Sequence, residues 1–475
     1  MTGHKVVASW YNLRKLLVLR FDVNITHKIL AEALGLCECP PFVADRISID
    51  SRNIKPGDIF IAINRGHEFV NDAITSGATL AIIDDKRYEV PGKTLAVDNT
   101  TKALKNIGNW VKAKTKLKNL IAITGSVGKT TTKFWLNSLL SHKYNSFCSS
   151  GNYNTRYGVS LSLCQLESST DFGIFEIGSN HTGEIAELSE YLKPDIGVIT
   201  NIFESHIGNF GDKQSLAREK ISIVNGIKSG GILIFDGDSE FALNIQDEAG
   251  RKNLKAFAVG FSQNCDFEII ACRNVRAQTA SIELKTPDGI VKYDLPFREK
   301  HLAYVSAMLV ATIWAMKLPI AEFLSFMKDL SKIDGRGNVE KYVFHGKTIE
   351  VINDCYNASP TAVLASIENL QLLPNASKIA IIGQMKELGQ YEVYYHTLVA
   401  EKLQSSHFEQ VFFIGDKNLW DIMGAKEKTK CFQKLDNFVI EEILKMIQND
   451  SIVLLKGSHS LELDKFIKYL KCSTT

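Results

Sequence analysis

The stretch NLIAITGSVGKTTTKFWLNSLL, residues 119–140, narrows the possible folds more than any other part of the chain. An apolar run ending at Thr124 predicts a buried strand. Gly125-Ser126-Val127-Gly128-Lys129-Thr130-Thr131 follows as a turn, and the next residues predict a helix. Glycines allow successive backbone N–H groups to face one anion, and the helix N-terminus adds its partial positive charge. Lys129 then suits the β- and γ-phosphates of a nucleotide, and the Thr130 hydroxyl suits Mg²⁺. The common phosphate loop is G-x-x-x-x-G-K-[ST]. Here the first glycine precedes the second by only three residues, which marks a short form of the loop.

The pattern around this loop predicts an α/β protein of three domains. Residues 1–115 mix short strands and turns, with DIFIAI and ATLAIID as strand signals and KPGD as a turn. Residues 116–330 alternate apolar strands with helical stretches. NLIAIT, FGIFEI and DIGVIT read as buried parallel strands, which gives a central doubly wound ATPase domain of the phosphate-loop type. KIDGRGN near residue 332 reads as a linker. Beyond it TIEVIND, KIAIIG, QVFFIG and SIVLLKG predict a smaller, Rossmann-like domain over 331–475.

Charge and cysteine content exclude several classes. Lys+Arg 55 against Asp+Glu 53 leaves a formal net charge of +2, so nothing favours nucleic acid or an anionic membrane surface. No apolar run is long enough for membrane insertion. The opening MTGHKVVASWYNLRKLLVLRFDVN predicts mature sequence, not a signal peptide, because basic residues interrupt each apolar patch. Nine cysteines, of which only Cys37 and Cys39 lie close, predict reduced thiols and a cytoplasmic protein.

TGSVGKTTT resembles the loop of the Mur ligases and the folylpolyglutamate synthetases, ATP-dependent enzymes that form amides. Three downstream residues fit the Mur ligase pattern. Glu176 ends the strand in DFGIFEIGSN, His206 follows the strand of DIGVITNIFESH, and Lys220 lies on the predicted helix of SLAREKISIV. The resemblance implies two Mg²⁺ sites, with Glu176, His206 and Thr130 as ligands and Lys220 as a further ligand once carbamylated. GNYNTRYG from Gly151 resembles the family's G-N-x-N-N-x-x-G segment and implies that Asn152 and Asn154 line the acceptor site, with Thr155 replacing an asparagine.

In the first domain, IDSRNIKPGDIFIAINRGHEF resembles the uridine-diphosphate domain of two branches of the family. Ser51, Arg52 and His67 would contact the sugar nucleotide. A planar guanidinium suits a diphosphate. In the last domain VINDCYNASP, IIGQMKELGQYEVYYH (with His396) and LLKGSH resemble the branch that adds D-alanyl-D-alanine to UDP-N-acetylmuramoyl-tripeptide. The D-N-P-R motif of diaminopimelate-adding relatives is absent. The resemblance runs from about residue 48 to 466. It implies a monomeric enzyme in which ATP phosphorylates the tripeptide carboxylate and the dipeptide amine then displaces phosphate. Lys129, His206, Lys220 and Arg336 would serve this reaction. The nucleotide would be bound by Gly125 through Thr131, His301, Arg336, Asp354, Tyr356 and Asn357. Five positions depart from the branch: Leu302 and Ser306 replace asparagines, Ser222 a glutamate, and Asn353 and Gln384 aspartates. Two alternatives remain open: the ligase adding the third amino acid, and a nucleotide-binding homologue without activity.

Overall fold

The computed structural model describes residues 25–37, 41–276, 279–373, 377–422 and 429–473. Cys39 and the opening 24 residues lie outside them, and the described cysteines are thiols, not disulfides. No described helix is long and apolar enough to cross a membrane. By contact density the chain forms two compact units, residues 1–122 with 140–177, and residues 123–139 with 178–475.

The first unit carries four parallel strands in sequential order, Arg46–Ser48, Asp58–Ile61, Leu80–Ile83 and Thr94–Ala96. All four residues of both Asp58–Ile61 and Leu80–Ile83 are buried, as continuous apolar runs require in a parallel sheet. The helix Thr100–Lys114 starts where the Asn99 side chain accepts from Lys102 N at 2.7 Å. Its Leu104 and Ile107 share one core with Ile59, Ile82 and Leu161. The strands Ser146–Cys148 and Phe172–Glu176 pair in parallel in the same unit.

The second unit holds two larger patterns. Ile196–Ile199, Ile232–Asp236, Lys255–Gly260 and Phe267–Arg276 are neighbouring parallel strands. Thr279–Thr286 and Gly289–Leu295 continue the sheet as an antiparallel meander. The sequence pattern implied helices between strands throughout this region. The meander is instead turned by Asp288-Gly289, with Gly289 at φ 131°. The helix Lys300–Ala315 buries twelve of its sixteen residues, so it is a core helix without a polar face.

The last sheet has the order Asn338–Phe344, Lys347–Asn353, Ser451–Lys456, Ser377–Gly383, Gln410–Ile414, Thr429–Phe432. Only the first pair is antiparallel. Alternate residues of one strand enter different cores: Ile379 and Ile381 face one, Ala380 and Ile382 the other. Both faces are thus covered, as in a Rossmann-like layer structure. The final strand lies inside the sheet, so Asp354 and Tyr356 follow one strand end beside Gly457 and Ser458 after another.

Gly226 meets the helix Glu184–Leu192 at its closest point. A Cβ there would sit 1.9 Å from the Ser189 carbonyl carbon, and backbone cannot rotate away. Gly226→Ala is expected to lower stability by at least about 1–3 kcal/mol. Thermal unfolding checks this; an unchanged midpoint would mean the approach is looser than described.

Candidate active site

The phosphate loop is held by the segment after the strand Ile196–Ile199. Gly125 has φ 136°, and a Cβ there would meet Thr200 Oγ1 at 2.0 Å. Asn201 takes both polar groups of Val127: Val127 N donates to its Oδ1 at 2.9 Å, and its Nδ2 donates to Val127 O at 3.0 Å. Thr200 Oγ1 donates to the same carbonyl at 2.7 Å. Ser126 Oγ donates to Phe203 O at 2.7 Å and accepts from Phe203 N at 2.9 Å. Gly128, at φ 86°, then turns the chain into the helix Lys129–Leu140. Lys129 Nζ lies over the loop, donating to Gly125 O at 2.6 Å and Ser126 O at 3.2 Å.

Arg336 reaches this loop from the linker. Its guanidinium donates to Thr130 Oγ1 at 2.9 Å and stacks 4.3 Å over the Tyr356 ring. Tyr356 N donates to Gly335 O at 3.1 Å, and the His459 ring meets Tyr356 edge-on. Trp135, on the phosphate-loop helix, donates to Ser331 O at 2.7 Å and stacks on Phe297 with the rings 6° from parallel. The linker is therefore fastened to the helix on both sides of Lys332, whose ammonium pairs with Glu299 at 2.5 Å.

Lys220 is almost fully buried on the helix Lys213–Ile221. Burial, and secondarily the Lys129 ammonium, pushes its pKa down to about 7. Its Nζ donates to Ser179 Oγ at 3.0 Å. The adjacent Glu219 accepts from Gly183 N at 2.6 Å and Ile185 N at 2.9 Å, at the start of the helix Glu184–Leu192. His206 has a left-handed backbone, φ 63°, and its Nδ1 contacts the Glu387 carboxylate.

In the first unit Glu176 is buried at its strand end and accepts from Asn154 Nδ2 at 2.9 Å. That brings together two residues chosen from the sequence. Asn152 meets Asn154 only through backbone, Asn154 N donating to Asn152 O at 2.6 Å. In the other part of the unit, Ser51 opens a short turn, and exposed Arg52 pairs with Asp50 at 2.8 Å. His67 is buried, its Nδ1 against Asn64 O at 2.8 Å and its Nε2 accepting from Asp84 N at 3.2 Å. Its Nδ1 thus holds its own turn, while Nε2 also lies 2.9 Å from the Asp84 carboxylate, just after the strand Leu80–Ile83.

Several last-domain residues are similarly occupied. Asp354 pairs with buried Lys456 at 2.8 Å and accepts from Ser366 Oγ at 2.7 Å. Asn357 Oδ1 accepts from Ala358 N. His301 is exposed at the start of its helix. Leu302 and Ser306 are buried, and Ser306 Oγ meets Tyr293 OH at 2.9 Å and donates to Ala303 O at 2.6 Å. Gln384 Nε2 donates to Glu392 Oε1 at 2.7 Å, Asn353 Nδ2 to Asp334 at 2.9 Å, and Ser222 Oγ to Glu219 O at 2.7 Å. Each departing residue is hydrogen-bonded or packed where it stands. Asn201, Glu219 and Glu387 were not singled out from the sequence. Only Glu219 had a local signal, its place beside Lys220.

Comparison with known proteins places these features in a family. Residues 123–313 match the Mur ligase middle domain, and residues 339–459 match the Mur ligase glutamate ligase domain. The UDP-N-acetylmuramoyl-tripeptide–D-alanyl-D-alanine ligase of Rickettsia prowazekii is 31% identical over 454 residues, covering 93% of this chain and 98% of its own. The crystal structure of MurF from Acinetobacter baumannii has a TM-score of 0.83 at 26% identity, covering 95% of this chain and 99% of its own. MurF from Thermotoga maritima in complex with ADP has a TM-score of 0.76 at 23% identity, covering 90% and 97%, a likeness of fold.

Asn201→Ala removes both hydrogen bonds to Val127 while leaving Lys129 and Thr130 in place. Losing buried partners costs about 1–3 kcal/mol. The expected result is nucleotide affinity lowered by about tenfold or more, measured by titration calorimetry.

Proposed function

The chain belongs to the Mur ligase family, and from that premise we infer that it joins D-alanyl-D-alanine to UDP-N-acetylmuramoyl-tripeptide, using ATP. Full-length kinship with a ligase of that name is the observation that carries the reading. The reading assigns UDP-sugar binding to residues 1–115, nucleotide binding to 116–330 and closure over the site to 331–475, in a cytoplasmic monomer.

The tripeptide carboxylate attacks the γ-phosphorus, the bond to the ADP oxygen breaks, and an acyl phosphate forms. The dipeptide amine adds to its carbonyl carbon, the tetrahedral adduct expels phosphate, and the amine proton leaves. In-line phosphoryl transfer asks the protein mainly for positioning and charge neutralisation. The loop Gly125–Thr131 receives the phosphates through the N–H groups from Gly128 onward and the Lys129 ammonium, while the Ser126 and Val127 N–H groups are held by Asn201. Arg336, already at Thr130, would reach the transferring group, and its stack on Tyr356 limits the guanidinium's swing. Ser51, Arg52 and His67 receive the uridine-diphosphate part of the substrate. Asn152 and Asn154 line the acceptor side. His301, Asp354, Tyr356 and Asn357 face the nucleotide or the incoming dipeptide.

Two Mg²⁺ ions fit the donor set. Among the described residues no three His, Cys, Asp or Glu side chains cluster as a self-sufficient cage. Mg²⁺ characteristically takes one or two protein ligands plus phosphate oxygens and water, and hydroxyl and carboxylate oxygens such as those of Thr130 and Glu176 are of the type it prefers. Thr130, Glu176 and His206 would hold it, and Lys220 would do so as a carbamate. Bound there, Mg²⁺ supplies charge neutralisation on the phosphoryl oxygens. A lysine with pKa about 7 offers the neutral amine that adds CO₂, whereas an ordinary surface lysine is protonated.

Phosphate release from ATP in the presence of UDP-muramyl-tripeptide is expected to require D-alanyl-D-alanine, and Lys129→Ala to abolish it. Release that needs only UDP-muramyl-dipeptide and a single amino acid would instead indicate the ligase adding the third residue. No release would indicate a binding protein.

Incubation with 13C-bicarbonate is expected to give one carbamate resonance that grows as pH rises through about 7, absent in Lys220→Met. A signal following the titration of exposed lysines would count against Lys220 as the site.

A further inference from the structure

The loop carrying His206 is locked to the last domain by a contact that nothing in the phosphate site requires. Gly208 N donates to Glu387 O at 3.0 Å. A Cβ on Gly208 would meet Gly389 N at 2.5 Å, and one on Gly389 would meet Gly208 Cα at 2.8 Å. Two glycines thus let two backbones touch. Ile207 is buried in the last domain's core beside Ala358, Met385 and Leu388. Tyr391 OH donates to Gly211 O at 3.1 Å, and Thr361 Oγ1 donates to Glu204 Oε2 at 2.8 Å. At the centre His206 and Glu387 face each other, both with left-handed backbones, φ 63° and 65°. For residues other than glycine that conformation is strained, and surrounding structure must hold it.

The Glu387 side of the contact is itself fixed. Buried His396 accepts from Met385 N through Nε2 at 2.9 Å, with Nδ1 against Glu392 O at 2.7 Å. Lys386 N donates to Ser458 Oγ at 2.9 Å. Residues 384–386 are therefore pinned before the chain reaches Glu387.

We propose that Glu387 is a positioning residue for His206, accepting the Nδ1 proton so that Nε2 presents its lone pair to the cation. The proposal rests on His206 as a metal ligand. A carboxylate on the far nitrogen of a ligating histidine fixes the tautomer and the ring orientation and raises the basicity of the other nitrogen. Because Glu387 belongs to the last domain, docking of that domain and readiness of the metal site become one event.

The test is Mn²⁺ affinity of the full chain with a non-hydrolysable ATP analogue, read by electron paramagnetic resonance. Glu387→Ala is expected to weaken Mn²⁺ by about 10–100-fold. Glu387→Gln, which keeps an acceptor oxygen, is expected to recover part of the loss. His206→Ala should weaken Mn²⁺ to a similar degree, and the double variant should be no worse than His206→Ala alone. Gly208→Ala leaves both side chains intact but separates the backbones, and should reproduce the loss at an otherwise cooperative melting transition. If His206→Ala weakens Mn²⁺ while Glu387→Ala leaves it unchanged or tightens it, Glu387 does not position the ligand. If His206→Ala itself has no effect, the metal assignment of His206 fails and the proposal falls with it.

Discussion

The structure depends on keeping one short turn open. An anion site made of backbone N–H groups works only if those groups point outward and stay there, because reorganising a loop at the moment of binding costs the affinity it provides. Within Gly125–Gly128 only the Ser126 hydroxyl supplies a polar side chain, and it is turned back onto Phe203. The bracing comes from Thr200, Asn201 and Phe203, which take Val127 and Ser126 from behind. The same few residues lead into Glu204 and His206. Support for the phosphate loop and the route to the last domain are therefore one continuous segment.

The linker uses the other side of the loop helix. Trp135 grips Ser331, Lys332 pairs with Glu299, and Arg336 ends on Thr130. An arginine on an unsupported linker would sample many rotamers, and ordering it on binding would cost up to about 2 kcal/mol of side-chain entropy. The Tyr356 ring removes much of that freedom beforehand. Two separate attachments, at Arg336 and at residues 206–211, hold the last domain to the loops around the phosphate turn.

The parts legible in the sequence are those encoded locally. Apolar run, glycine spacing, lysine and helix lie within about twenty residues, so the strand–loop–helix unit and the buried parallel strands could be read directly. The Asp288-Gly289 turn was also local, a hairpin signal inside a region dominated by helix and strand alternation. Partner choice was not legible. Asp354 reads as a ligand-facing carboxylate, and nothing local shows that Lys456, a hundred residues away, pairs with it. Ser306 looks like a weakened nucleotide contact until Tyr293 is found to use its hydroxyl inside the core. His67 and His396 are likewise committed to backbone groups. In each case chemistry was readable from residue type, while the intramolecular partner was set by tertiary packing.

Lys220 shows why a buried cation need not be a defect. Burial alone disfavours its ammonium, and the Lys129 charge adds repulsion that Glu219 and Glu184 only partly offset. Loss of the proton relieves both penalties but leaves a neutral amine without a charge partner. Conversion to the proposed carbamate reverses the sign: the Lys129 ammonium, formerly repulsive, becomes attractive to the new anion, and a hard oxygen ligand replaces a nitrogen. Burial disfavours either charge, so the carbamate would depend on the Lys129 ammonium and a bound cation, and Lys129 would couple that choice to the phosphate loop.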